Sequence, residues 1–216
     1  MALTFQSVID KLTETIQRDD LVPDYLDFVN EAVHELALVH SFEQMKAIGT
    51  GTVAPGTTRA QLPPDFKELQ DGRYPVFDSV AGSLVPVFTR PEIEKLLGNS
   101  NALGFVPPIC YIYTQDFTAG QASFNLDLPA PDPNNVSHLL TMNYFAYPAI
   151  QTDPTQTTPM ITYYFNMVFQ KSASLAFDSI NDPAGQAHEN EYMKMLQPYI
   201  AEDLEASQAD VTGKRT

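Results

Sequence analysis

Thr157-Thr158-Pro159-Met160-Ile161-Thr162-Tyr163-Tyr164-Phe165 opens the stretch, residues 157 to 199, around which the chain is organised. Thr158 is a good helix N-cap, and Pro159 suits the first helical position, where its missing N–H would be unpaired anyway. Ile161, Tyr164, Phe165, Val168, Phe169, Ser172, Leu175 and Ala176 follow at i, i+3, i+4, i+7 spacing, the apolar face of a helix of about five turns. Asn181-Asp182-Pro183 repeats the punctuation and opens a second helix, in which His188, Tyr192, Met195, Leu196, Tyr199 and Ile200 hold helical spacing. Pro198 lies inside that pattern. Proline costs about 3 kcal/mol in a helix interior, so a kink or stop is expected near Gln197. The product is an αα-hairpin with a wide apolar face that must cover something.

The other end of the chain supplies matching helices. Thr4 can cap a helix that buries Phe5, Val8, Ile9, Leu12 and Ile16. Asp20 can cap a second, with Pro23 in its first turn and Tyr25, Val29, Ala32, Val33 and Leu36 along one face. After Ile48 the pattern changes. Gly49, Gly51, Pro55 and Gly56 break any helix, and Thr50 to Thr58 suits a short strand and turn. Leu62-Pro63-Pro64-Asp65-Phe66 reads as an extended crossing or a sheet edge, because prolines cannot sit in a central strand. Short strands flank an Ala81-Gly82 turn, and Thr89-Arg90-Pro91-Glu92 opens a short helix. Ile109 to Phe117 and Ser123 to Leu128 read as strands. Leu139 to Tyr147 returns as another, with Leu140, Met142, Tyr144 and Ala146 on one face.

Helices, then strands, then helices make an α+β fold: a helical bundle from the N- and C-terminal helices packed beside a central antiparallel β-sheet or sandwich. The expected organisation is a single domain, 1–205, with helices over 4–46, a β-rich region over 50–148 and helices over 158–205. A polar C-terminal tail, 206–216, follows. It carries one apolar anchor, Val211, with Lys214 and Arg215 at its tip.

The charge balance is strongly acidic: 12 Lys and Arg against 27 Asp and Glu, a net charge of −15. Such a chain should not grip nucleic acid, whose binding depends on cations that neutralise phosphates. Solubility accounts for the balance; a wall past which a polyanion slides without sticking is the sharper reading. No apolar run is long enough for a membrane span, and Met1 to Phe5 shows no signal-peptide pattern. The single cysteine, Cys110, rules out an internal disulfide framework and reads as an inert core thiol.

Catalytic, cofactor and metal sites are not expected. His34-Glu35 opens like H-E-x-x-H, but Leu38 stands where the second histidine belongs. His138 and His188 are isolated and read as surface or boundary residues. Gly49-Thr50-Gly51 lacks the third glycine of a dinucleotide fingerprint, and Asp19, Asp20, Asp24 and Asp27 lack the spacing of a calcium loop.

The order of elements resembles the head-to-tail adaptor (head-completion, connector) proteins of tailed bacteriophages, especially short-tailed ones. Leu21-Val22-Pro23-Asp24-Tyr25-Leu26 leading into an amphipathic helix carries the resemblance, as do Leu62-Pro63-Pro64-Asp65-Phe66, Phe124 to Leu128 with its Pro-rich turn, Tyr163-Tyr164-Phe165 opening a long helix, and Glu191-Tyr192. Leu36-Ala37-Leu38-Val39-His40 stands where the family carries an Arg-rich end to its second helix. The resemblance implies a non-enzymatic virion protein made in the host cytoplasm. It implies a homo-oligomeric ring, commonly of twelve copies, at the head-tail interface below the portal protein. The ring would extend the DNA channel, let genomic DNA pass without specific binding, and carry the tail or nozzle proteins. By the same resemblance Val211, Lys214 and Arg215 would dock on the portal; the alternative is that the tail is a frayed end. The competing expectation is a monomeric carbohydrate-binding or hydrolytic module.

Overall fold

The computed structural model describes residues 3–70, 75–98, 110–118, 121–130 and 132–211. In chain order these form α1 (Phe5–Ile16), α2 (Tyr25–Val39), β1 (Lys46–Val53), β2 (Arg59–Gln61), β3 (Phe66–Leu69), β4 (Val76–Asp78), β5 (Ser83–Val85), β6 (Val87–Thr89), α3 (Arg90–Gly98), β7 (Tyr111–Thr118), β8 (Gln121–Asp127), β9 (His138–Ala146), α4 (Pro159–Ser179) and α5 (Ala184–Val211). The α+β class stands. The chain clusters into two units: Met1–Met45 with Tyr147–Thr216, and Lys46–Ala146.

The first unit is helical. Thr4 caps α1 in a reciprocal capping box with Ser7, and Phe5, Val8, Ile9, Leu12 and Ile16 are buried as their spacing requires. Two of α1's first N–H groups donate to carbonyls of the connector before α4, Phe5 to Gln156 at 3.1 Å and Gln6 to Pro154 at 2.6 Å. Asn30 of α2 holds the same connector by exchanging two hydrogen bonds with the Gln151 backbone, at 2.9 and 2.8 Å.

α4 is the central helix and touches α1, α2 and α5. From Met167 to Phe177 it is buried almost all round, and Ser172, Ala173, Ser174 and Ala176 keep it slim enough for its neighbours to approach. Thr158 caps it, accepting from the Ile161 N–H at 3.3 Å. Its helical geometry breaks once, at Tyr164 (φ −120°, ψ 26°), where the phenol donates to Gln44 Oε1 at 2.5 Å. Periodicity alone reads straight through that break.

At the hairpin Asn181 takes a left-handed φ of 56° and Asp182 accepts from the Ala184 N–H at 2.9 Å. A Cβ on Gly185 would lie 2.5 Å from Asp178 Oδ1 and 3.2 Å from the Ser174 carbonyl, so α4 and α5 meet there with no room to spare. Lys171 of α4 is clamped between Glu35 of α2 at 2.8 Å and Glu189 of α5 at 3.2 Å.

Three local expectations are corrected. α5 does not stop at Gln197, one of the two outcomes expected of Pro198: it is helical through Pro198 to Val211. Exposed Pro198 faces away from the seam formed by Tyr192 and Leu196, so the lost N–H disturbs no packed surface. Residues 206–211 of the expected tail therefore continue the helix. Asp20 does not cap α2. It pairs bidentately with Arg18, both contacts at 2.8 Å, while Asp19–Asp24 forms a 3-10 turn around Pro23.

The second unit has two sheets. One runs β1-β9-β4-β5, with β3 also paired to β9; the other runs β2-β8-β7-β6. Among the described residues all pairings are antiparallel except β6–β7, which is parallel. Pro86 separates β5 from β6, so the segment that reads as one strand is divided between the sheets. α3 lies in the crossover that a parallel pair needs. Val53, Val85, Leu140 and Met142 of one sheet share a core with Ala60, Tyr111 and Leu126 of the other. Gly82, at φ 64°, turns β4 into β5. Leu62-Pro63-Pro64-Asp65-Phe66 joins β2 to β3 by burying Leu62 and Phe66 and offering Asp65 to the Tyr144 phenol at 3.0 Å.

Candidate functional site

β9 alternates as expected: Leu140, Met142 and Tyr144 are buried and Leu139 is exposed. The same phase puts His138 inside, at 1% exposure, which corrects its reading as a surface or boundary residue. A buried imidazole needs polar partners. His138 has two: Nδ1 lies 2.8 Å from Asp78 Oδ2, and Nε2 lies 2.9 Å from Asp132 Oδ2.

Asp78, fully buried, ends β4 and is the hub of this cluster. It accepts from the Tyr111 hydroxyl at 2.6 Å and from the backbone N–H groups of Val80 at 2.7 Å and Ala81 at 3.1 Å. Burial pushes its carboxyl up, but the bonds from Tyr111, His138, Ala81 and Val80 outweigh burial and hold it below the usual carboxylate range. Burial and the Asp78 bond push the Tyr111 phenol up. Asp132 in turn accepts from the Asn134 N–H at 2.7 Å. The four side chains tie β4, β7 and β9 to the loop at Asp132–Asn135. They resemble an acid–base constellation in which His138, Asp78 and Tyr111 are buried and the Asp132 side chain is 10% exposed, and their bonds fix the loop and the β4–β5 turn. The phase of β9 was the signal that could have found His138, since it sits two residues before Leu140.

The remaining candidate residues are dispersed. Val211 is the last residue of α5; Lys214 and Arg215 lie outside the described residues. Glu35 is taken up by Lys171, and His34 packs against the Tyr147 ring at 5.5 Å. His188, half-buried as a boundary residue should be, stacks on Phe177 at 5.3 Å and meets Gln170 Oε1 at 2.6 Å; burial pushes its pKa down. Cys110 is buried, which pushes its thiol up and away from reactivity. Among the described residues no group of three His, Cys, Asp or Glu side chains is placed to hold a metal ion. No described helix is long and apolar enough to cross a membrane.

Two hollows are open to solvent. One, of about 370 Å³, lies between α3 and the β7–β8 pair, with Arg90, Ile93 and Asp127 among its walls. Asp127 is already engaged there by Arg59 at 2.8 Å and by Thr114 at 2.9 Å. The other, of about 460 Å³, lies beside the break in α4 and is lined by Tyr163, Phe165, Met195 and Tyr199.

None of the curated proteins compared with the chain matches it. A family model described as SU10 adaptor protein matches residues 3–215, nearly the whole chain.

Proposed function

The chain belongs to the SU10 adaptor protein family, and from that membership we propose a head-to-tail adaptor that forms a ring, of about twelve copies by the family resemblance, below the portal protein of a tailed phage. The family's role is structural. In the proposed virion the ring prolongs the DNA channel and presents the platform on which tail or nozzle proteins assemble. The family match over residues 3–215 is the observation that carries this reading.

The net charge is in keeping with a conduit. At −15 net, the chain meets passing phosphates with repulsion. The C-terminal end supports docking. α5 ends at Val211, and Lys214 and Arg215 follow in the sequence; in the proposed docking these two cations pair with portal carboxylates. Phage heads assembled without this chain should carry a portal and DNA but no tail. Adding the purified chain to such heads should restore tail attachment, and heads that acquire tails equally well without it would overturn the proposal.

A further inference from the structure

The hollow of about 460 Å³ beside the break at Tyr164 lies wholly within the helical unit. Leu3, Tyr163, Phe165, Met195 and Tyr199 give it apolar walls, Asn166 adds a polar one, and no charged side chain lines it. Tyr163 is 67% exposed. Aromatic and Met side chains without charge are the composition of an interface centre, unlike the open surface of an acidic chain.

Lys11 of α1 reaches the same walls. Its Nζ lies 3.5 Å from Asn166 Oδ1, 5.3 Å from the centre of the Phe165 ring and 3.9 Å from that of Phe169. The other described cations of the helical unit are taken: Arg18 by Asp20, Lys171 by Glu35 and Glu189, and Lys194 by Glu191. Among the described residues no carboxylate pairs with Lys11; Asp10, its neighbour in sequence, accepts from Gln6 at 2.7 Å. An ammonium has three donors, so Lys11 keeps some for an acceptor from outside.

We propose that this hollow takes a short segment of a partner protein in which one carboxylate stands next to a large apolar side chain. The apolar side chain packs among Tyr163, Phe165 and Met195, and the carboxylate pairs with Lys11 Nζ. Charge complementarity selects this occupant. A basic segment would set like charge against Lys11, and an uncharged one would leave the ammonium without a counter-charge. The chain's net charge of −15 repels a run of acids, so a single carboxylate with an apolar neighbour fits better than an acidic stretch. The inference does not depend on the ring reading.

The test uses the full chain with 13C-labelled methionine methyls, followed by NMR, and the blocked dipeptides acetyl-Asp-Phe-amide, acetyl-Asn-Phe-amide and acetyl-Lys-Phe-amide as probes. The Asp peptide should shift the Met195 methyl saturably and leave that of Met142, in the core of the β unit, in place. It should bind about threefold more tightly than the Asn peptide, as for a solvent-accessible ion pair, and the Lys peptide should bind most weakly. Lys11→Met should erase the preference for Asp over Asn, and Lys11→Arg should keep it. Tyr163→Ala should weaken the Asp and Asn peptides alike, with an unchanged circular dichroism spectrum. No saturable shift at Met195 overturns the proposal. So does equal binding of the Asp and Asn peptides, or a preference that survives Lys11→Met. A Met195 signal that moves with chain concentration alone would assign the hollow to a second copy and overturn it as well.

Discussion

Replacing His138 with alanine removes the ring that stands between Asp78 and Asp132. Asp78 keeps three donors, from Tyr111, Val80 and Ala81, so it remains partly satisfied. Asp132, only 10% exposed at its side chain, loses its partner and keeps the Asn134 N–H. Breaking a buried pair by deleting one member costs about 3–5 kcal/mol. The donors retained by Asp78 place His138→Ala near the lower end, about 3 kcal/mol. That is a large share of the 5–15 kcal/mol that holds a typical domain together, and it corresponds to a Tm lowered by about 6–12 °C. Tyr111→Phe deletes one donor and keeps the packed ring, so it should cost about 1.5 kcal/mol. The pH dependence has a definite sign. Asp78 titrates below its unfolded value of about 3.9, so its stabilisation is present above that pH and is lost as pH falls through the folded value. The gap between wild type and His138→Ala should therefore be widest near neutrality and shrink in acid. Urea unfolding followed by circular dichroism at neutral and acid pH measures both. A neutral-pH difference below about 1 kcal/mol, or a gap that widens as pH falls, would refute the claim that this cluster locks the loop.

At alkaline pH the sign reverses. Burial, with the Asp65 bond, pushes the Tyr144 phenol up to about 12, and burial pushes Tyr192 up to about 12 as well. Unfolded tyrosines ionise near pH 10, so stability should fall between about pH 10 and about 12, and less steeply in Tyr144→Phe, as pH-jump unfolding would show. Gly185→Ala should destabilise by about 1 kcal/mol on thermal melting: crowding against the Ser174 carbonyl, at about 1–3 kcal/mol, outweighs the gain in helix propensity of about 1 kcal/mol. Ending the chain after Val211 should leave the circular dichroism spectrum and Tm intact while abolishing attachment to portal-bearing heads; full attachment by the shortened chain would remove Lys214 and Arg215 from the docking contact.

Much of the fold is legible because the features that betray it are local. Thr4 is a helix cap in sequence and in space, and the structure adds Ser7 as its capping-box partner. The period of two along Leu140, Met142 and Tyr144 has a single physical explanation, and the Ala81-Gly82 turn needs the positive φ that Gly82 takes. The family assigned over residues 3–215 agrees with the resemblance carried by Leu62–Phe66 and Tyr163–Phe165. What escaped depends on partners distant in sequence. His138 looks isolated because Asp78 lies 60 residues away. The break in α4 comes at Tyr164, whose phenol meets Gln44, 120 residues earlier. Pro198 punctuates the sequence, yet on an exposed helix face its missing hydrogen bond does not end the helix. The division of residues 83–89 between two sheets turns on Pro86 and on a crossover that no local pattern announces.

Purified chain mixed with purified portal protein and imaged in negative stain should show closed rings stacked coaxially on the portal, with a mass increment that is an integral multiple of 24.0 kDa. Portal particles that remain bare beside free 24.0 kDa monomers would contradict a ring on the portal.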